Sequence, residues 1–472
     1  MSERTILVWF RNDLRIRDNE ILLEALKKAD KVLPVYCFDP RSFTETSFGT
    51  KKTGNFRAKF LIESVRELKN SLTQLGGNLM VAQGNPEDVL PRIAEQYKVQ
   101  EVYHHREVAS DETEISALVE AGLWKRQINL KHFIGHTLYH KEDLPFPIKD
   151  IPDAFATFRK KIERESEVRG CFEAPVQITI PENFEEGAIP SLADLGLDEP
   201  LSDERAIAEF KGGETVGLER IKEYFWEKDQ VNRYKSSKTS LIAASFSSKL
   251  SAWLSMGCIS TRQVYWEIKR YEKQNPTTNS GARLAIEFLW RDYFRFMYKK
   301  YGGKLSKNQA ETNMPFTGEK KILFEKWKSA ETGIPLIDAC MRELNLTGFI
   351  SNRARQILAG YLVNSLHLNW TWGAAYFEEK LIDYSPASNW GNWAIVGGIA
   401  VGGKENPNQD VLKQAPELDT QGEYVRKWVP ELSAVPPKQI HQPWLLTLQQ
   451  QKEIGLTSSI YTQSAVRARS GV

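Results

Sequence analysis

The first 140 residues alternate short apolar runs with amphipathic stretches. Five runs rich in β-branched and aromatic residues predict strands, and they begin at Ile6, Val32, Asn78, Val99 and Asn129. Between them, residues 19–29, 55–75, 86–97 and 111–123 repeat apolar positions with the period of a helix. This alternation predicts an α/β domain with an open, parallel, doubly wound sheet, whose ligand would lie at the carboxyl ends of the strands.

The pattern changes twice after this domain. Residues 141–203 contain many prolines and acidic residues and one helical run near residue 155, which predicts an interdomain connector. From residue 204 to 472 the apolar period is close to 3.6 and predicts an all-α domain. No GxGxxG follows the first strand, and no Walker loop, GxSxG or HExxH occurs, which disfavours nicotinamide, nucleoside-triphosphate and hydrolytic chemistry.

Composition predicts the cellular compartment of the protein and a class of binding partner. The four cysteines lie far apart, no apolar run is long enough to cross a bilayer, and a strand-like run begins almost at the amino terminus. We therefore expect a cytoplasmic protein with neither membrane association nor a bound metal. Residues 230–300 contain 13 Lys and Arg but only 4 Asp and Glu, which favours a polyanionic partner over the alternative of a merely solvated face.

Three polar clusters interrupt the helical pattern. In EFLWRDYFRF, Glu287, Trp290 and Arg291 share one helix face, as a binding surface or as an internal ion pair under an aromatic lid. Two further clusters lie in TGFISNRARQ and LIDYSPASNWGNW, and each of their polar residues taken singly is more often a cap or a satisfied core group. Together the three clusters favour a binding site.

A serine-rich segment, SFSSKLSAWLS, precedes a helical run. Its hydroxyls, backbone N–H groups and Lys249 suit phosphate oxygens, but serine-rich helix starts are common, and by spacing alone simple capping of the helix is favoured. His132, His136 and His140 have a metal-like spacing only on a helix, and the strand predicted there disfavours zinc.

Six motifs occur together in this chain: WFRNDLRIRDN, KTGNFRAKFLIESV, EFLWRDYFRF, TGFISNR, NWGNWA and YVRKWVPEL. In this order they resemble the photolyase/cryptochrome family over nearly the whole chain, and KTGNFRA with CFDPRSF is similar to the DASH-type cryptochromes. The resemblance implies an α/β antenna domain, a connector and a helical domain that holds FAD.

The resemblance also implies the residues that contact the flavin. Asp383 would pair with Arg355, and Asn389 would face the flavin N5. The ribityl-phosphate side and the centre of the flavin would be lined by Tyr234, Ser247, Ser248, Lys249, Leu250, Ser251, Arg291, Asn352 and Arg355.

The activity implied is the splitting of cyclobutane pyrimidine dimers by blue light, mainly in single-stranded DNA, by a monomeric protein. Glu287 would hydrogen-bond the dimer, Trp290 would stack on it, and Asn389 would tune the flavin. Trp393 and Trp370 would carry electrons to the flavin, and Glu107 would contact a methenyltetrahydrofolate antenna unless it is an ordinary surface-loop glutamate.

Several positions depart from the family pattern. Thr317 lies near the place of the outermost tryptophan, so electrons would need another exit such as Trp372 or Trp390. Ser385 replaces a carboxylate, and Ile395 replaces a second aromatic that would stack on the lesion. The segment 237–240 and Ser245 also differ. These departures favour a second hypothesis, a blue-light receptor or regulator that binds flavin and nucleic acid without repair.

Overall fold

The computed structural model describes residues 3–233, 241, 246–276, 280–302, 318–398, 411–456 and 460–462. Tyr234, residues 237–240, Ser245 and Thr317 lie outside the described residues. The amino-terminal part is a five-stranded parallel sheet of order β3-β2-β1-β4-β5. Its strands are β1 Thr5–Phe10, β2 Lys31–Phe38, β3 Met80–Gln83, β4 Glu101–His105 and β5 Asn129–Phe133. The predicted fold class is confirmed.

Both faces of the sheet are covered. Along β1, Ile6, Val8 and Phe10 belong to one core cluster, while Leu7 and Trp9 belong to a second cluster on the other face. All six residues of β1 are therefore buried, which is why the strand is a continuous apolar run and not an alternating one. The helices of this part are α1 Glu20–Lys28, α2 Asn55–Gln74, α3 Pro86–Gln96 and α4 Ser110–Trp124.

The connector contributes one α-helix and three short 3-10 helices, and the described residues that follow it form helices without strands. Asn369 and Ser351 cap two of these helices by accepting backbone N–H groups, as their residue types predict. The helices are α5 Phe155–Glu165, α6 Glu214–Lys222, α7 Ser251–Ser255, α8 Thr261–Gln274, α9 Ser280–Tyr301, α10 Glu319–Lys328, α11 Pro335–Thr347, α12 Asn352–Gly360, α13 Trp370–Lys380, α14 Pro386–Val396, α15 Val411–Leu418, α16 Glu423–Trp428 and α17 Leu448–Glu453.

Buried polar contacts join the α/β part to the helical part. Arg262 at the start of α8 donates to the Asp18 carboxylate at 2.7 Å, and Ser260 donates to the same carboxylate. Arg15 donates to the Gly257 carbonyl oxygen at 2.9 Å. Because these groups are buried, losing one partner would leave an unpaired charge, so the two parts are fixed against each other. None of the helices in the described residues is long and apolar enough to cross a membrane.

Candidate active site

Helix α9 carries the first of the predicted clusters. Glu287 and Trp290 lie half-buried on it, one turn apart. The helix packs against α14 through Phe294 and Gly391, and a Cβ on Gly391 would lie 2.4 Å from the Phe294 ring. Glycine is thus required for this close approach, which brings the face of α9 next to the NWGNW motif.

Trp290 is held by an aromatic neighbour that the sequence patterns did not identify. Phe155, in the first turn of α5, stacks on the indole with ring centroids 3.6 Å apart and planes 12° apart. Tyr293 meets the indole edge at 5.7 Å, and Phe294 lies at 5.7 Å with a tilt of 31°. Nothing in the connector sequence pairs Phe155 with Trp290, because that contact exists only after α5 folds onto α9.

Arg291 turns from this face towards backbone oxygens. Its guanidinium donates to the carbonyl of His136 and, at 3.1 Å, to that of Leu254. Burial lowers the pKa of Arg291 to about 10, and the neighbouring Arg295 acts in the same direction. The side chain therefore ties α9 to the end of β5 and to α7, and the flavin contact implied by the resemblance remains a prediction.

The second and third clusters meet through an ion pair. Arg355 on α12 donates through one nitrogen to both Asp383 oxygens, at 3.0 and 2.9 Å. The Asp383 side chain is only 4% exposed and that of Arg355 is 24% exposed, so the pair is largely sheltered from water. Asn352, at the first position of the same helix, is exposed, and Ser385 precedes α14 without capping it.

Asn389 lies buried on α14, one turn beyond Ser385. Its amide nitrogen donates to the Ala374 carbonyl oxygen on α13 at 2.9 Å. This bond fixes the orientation of the side chain and directs its carbonyl oxygen away from Ala374. A neutral amide held in this way offers a hydrogen-bond acceptor without a charge.

Tryptophans connect α13 and α14. Trp393 packs so tightly on Gly373 that a Cβ there would lie 2.2 Å from the ring, and it meets Phe377 edge-on at 5.1 Å. Trp370 meets Trp390 edge-on at 5.9 Å. Trp372 instead contacts Phe324 at 5.6 Å. Of the two alternative exits, Trp390 is thus the one in direct contact with Trp370.

The serine-rich segment forms a turn before α7. Arg220 on α6 donates to the carbonyl oxygens of Ser248 and Ser247, at 3.0 and 3.3 Å. Lys249 is 6% exposed, and its backbone φ of 57° lies in the left-handed region. Burial lowers the pKa of Lys249 to about 8, with a further contribution from Arg220. Arg220 was missed by the sequence analysis, since no local pattern links it to this turn.

A cavity of about 420 Å³ opens at the carboxyl ends of the strands, where the α/β pattern places a ligand. Arg11 and Asn12 follow β1 into it, and Asp39 follows β2. Tyr384 and Trp390 of the helical part close the other side. The cavity is therefore shared by both halves of the chain.

Glu107 lies behind this cavity. Its carboxylate accepts from Arg295 at 2.7 Å and from Asn12 at 3.1 Å, and His136 lies 3.2 Å away. Although burial opposes its ionisation, the Arg295 guanidinium that donates to it holds the pKa of Glu107 well below its usual range. The alternative of a surface-loop glutamate is wrong, because the side chain is only 5% exposed and is enclosed between the two halves.

The basic region 230–300 exposes fewer of its positive charges than its composition suggests. At least four of its cations point inwards or are paired, whereas Lys273 and Arg283 are exposed. The inward group comprises Arg262 with Asp18, Arg295 with Glu107, Lys300 with Asp153, and the buried Lys249. Charge counted along the chain overestimated the surface charge, because it does not register internal pairs.

Two family models match the chain. Residues 6–179 match the DNA photolyase model, and residues 284–470 match the FAD binding domain of DNA photolyase. A protein named Cryptochrome DASH from Gloeobacter violaceus is 44% identical over 99% of this chain and 94% of its own length.

The chain belongs to the photolyase/cryptochrome family and to its DASH group.

Solved structures agree with this membership. A cryptochrome from Synechocystis sp. PCC6803 superposes with a TM-score of 0.93 at 43% identity, covering 100% of this chain and 99% of that one. An archaeal photolyase from Sulfolobus tokodaii, described as holding two FAD molecules, has a TM-score of 0.75 at 25% identity, covering 97% and 99%. The helical part of this DASH-group protein is accordingly an FAD-binding domain.

Proposed function

We propose that the protein is an FAD-dependent, blue-light-driven DNA photolyase that splits cyclobutane pyrimidine dimers, with a preference for single-stranded DNA. The observation that carries the proposal is the meeting of α9 and α14. This contact brings the face of α9 that carries Glu287 and Trp290 beside α14. Helix α14 holds Asn389 and begins just after Asp383, the partner of Arg355.

The side chains present fit a flavin. Lys249 and the turn formed by Ser247 and Ser248 offer a cation and polar groups for the phosphates, and Arg355 is held in place by Asp383. Asn389 offers a neutral acceptor for the isoalloxazine edge. The remaining proposed contacts are Tyr234, Leu250, Ser251, Arg291 and Asn352. A reduced flavin bound there and excited by blue light would supply an electron to the dimer and would take it back once the dimer has split.

Two residues would act on the lesion. Trp290 would stack on the extruded bases, and Glu287 would hydrogen-bond the dimer and stabilise its negative charge. Extrusion costs least from a single strand, because no partner base has to be unpaired, and this supports the preference for single-stranded DNA.

Trp393 and Trp370 would carry electrons from the protein surface to the flavin. The direct contact of Trp370 with Trp390 supports an exit towards the interdomain cavity, which Trp390 lines. This route would replace the outer tryptophan that is absent near residue 317.

A methenyltetrahydrofolate antenna is proposed on the amino-terminal side. Asn12 lines the cavity and donates to Glu107. A pterin in the cavity would therefore either contact Glu107 through the Asn12 side chain or displace that side chain and contact Glu107 directly. Chromophore released from the purified protein by acid and identified by mass would test this proposal, and a preparation lacking folate would refute it.

The decisive experiment illuminates the flavin-loaded, pre-reduced protein with a single-stranded oligonucleotide that contains one thymine dimer. Restoration of thymines is expected, and its absence would falsify the repair function. Glu287→Gln should slow repair while retaining flavin, whereas the matched control Glu219→Gln, an exposed residue of α6, should change neither.

A second candidate function is a blue-light receptor or regulator that binds flavin and nucleic acid without repair. Ile395 and Ser385 favour it, because each removes a side chain that the family pattern places against the lesion or the flavin. Light-dependent nucleic-acid binding without thymine restoration would support this alternative.

A further inference from the structure

The connector helix α5 lies against the face of α9 that is proposed to receive the lesion. Its Phe155 ring covers one face of the Trp290 indole at 3.6 Å, and both side chains are half-buried. The stacked rings therefore form one continuous aromatic surface that reaches from α9 onto the connector.

Phe155 is held firmly in this position. Phe158, one turn further along α5, is fully buried and contacts Phe155 and Tyr293. The segment before α5 is bonded to α9, because Lys300 donates to the Asp153 carboxylate at 2.6 Å and to the Ile151 carbonyl oxygen at 2.7 Å. A ring anchored from both sides acts as a fixed wall, and it does not need to be ordered when a ligand binds.

Cations lie beside this wall on the same helix. An open groove is lined by Phe155, Arg159, Lys160 and Arg164, with Glu163 bonded to Arg159 at 2.8 Å. Lys160 is exposed, and no ion pair is found for it among the residues that the structure describes. Three cations and one anion line the groove, so it is positively charged overall, and Arg164 is also bonded to Glu165 at 2.9 Å.

We propose that Phe155 and the cationic groove of α5 bind the single strand next to the extruded lesion, which extends the proposed photolyase function and depends on it. A flanking base would stack on the outer face of Phe155, and the adjoining phosphates would contact Lys160 and Arg159. An aromatic ring beside cations is the arrangement by which proteins hold single strands without reading their sequence. Phe155 would also supply an aromatic wall in a site where Ile395 provides none.

The test measures binding of an undamaged oligothymidylate by fluorescence anisotropy, using the flavin-loaded full chain. Phe155→Leu should weaken binding about tenfold, since stacking of one base is worth roughly that factor. Lys160→Gln should reduce the slope of log affinity against log salt by about 0.7, the value expected for one phosphate contact to a single strand. Matched controls are Phe184→Leu, a half-buried phenylalanine next to the sheet, and the exposed Lys125→Gln.

Flavin content and melting temperature identify any Phe155 variant that is misfolded, and Phe155→Tyr, which keeps the stacking ring, should bind as the unaltered protein does. If Phe155→Leu folds and binds the strand as tightly as Phe184→Leu, the proposed wall is refuted, even when the unaltered protein repairs dimers. Tighter strand binding by Phe155→Leu would also refute the proposal, because it would mean that the Phe155 ring blocks the binding site. If the unaltered protein repairs no dimers but Phe155→Leu still weakens strand binding, only the proposed repair function fails.

Discussion

Replacing Asp383 with alanine tests whether the Arg355–Asp383 pair organises the flavin site. The substitution removes both carboxylate contacts of Arg355, at 2.9 and 3.0 Å, and leaves its bond to the Ile350 carbonyl oxygen at 3.1 Å. Breaking a fully buried pair costs about 3–5 kcal/mol. Because the Arg355 side chain is 24% exposed, water can solvate part of the freed charge, and we expect a loss of about 2 kcal/mol in the free energy of unfolding.

The assay is urea unfolding of the apoprotein together with flavin content after reconstitution with FAD. The matched control is Glu431→Gln, which breaks the Arg342–Glu431 pair of the same domain; its carboxylate side chain is 39% exposed against 4% for Asp383, so the loss should be less than about 1 kcal/mol. Asp383→Ala should lower both stability and flavin occupancy, whereas Asp383→Asn should restore part of each. Equal stability and equal flavin occupancy in Asp383→Ala and Glu431→Gln would refute the reasoning.

Three further predictions concern electron flow and pH. Trp390→Phe should slow light-driven reduction of the bound flavin, followed by absorbance, while Trp124→Phe on the exposed surface should not; equal rates would exclude the Trp390 exit. Because burial lowers the pKa of Lys249 to about 8, flavin affinity should fall as the pH rises from 7 to 9, and Lys249→Met should abolish this dependence in titrations at the two pH values. Burial raises the pKa of Glu343 to about 7, so the folded protein keeps a proton that the unfolded chain releases above about pH 4.3. Stability in urea should therefore fall by up to about 3 kcal/mol between pH 4.5 and 7, and a Glu343→Gln variant with the same pH dependence would contradict this.

The strands and helices of the α/β part could be predicted from the sequence, because their apolar periods are local. The predicted helix 55–75 and the observed Asn55–Gln74 differ by one residue, and the run from Ile6 forms β1. The serine-rich turn proposed to bind phosphate could be predicted only in part from the sequence. Arg220, which donates to the Ser248 carbonyl oxygen, lies on another helix, and no sequence signal connects the two residues.

Charge and burial required the folded chain. Glu107 could be a surface residue on sequence alone, yet the structure encloses it between Arg295 and His136, which lie far apart in sequence. The basic surplus of residues 230–300 was similarly reduced once internal pairs such as Arg262 with Asp18 formed. Such pairs join residues distant along the chain, and no window of the sequence contains both partners.

The sequence by itself determined the fold class, the family and the residues of the EFLWRDYFRF face, because these depend on local periodicity and on motifs within short segments. The tertiary structure alone decided that Phe155 covers Trp290 and that Trp390, not Trp372, contacts Trp370. The physical reason is that ring stacking is a short-range interaction with no sequence period. It is set by how α5, α9, α13 and α14 pack, and only the folded chain brings those helices together.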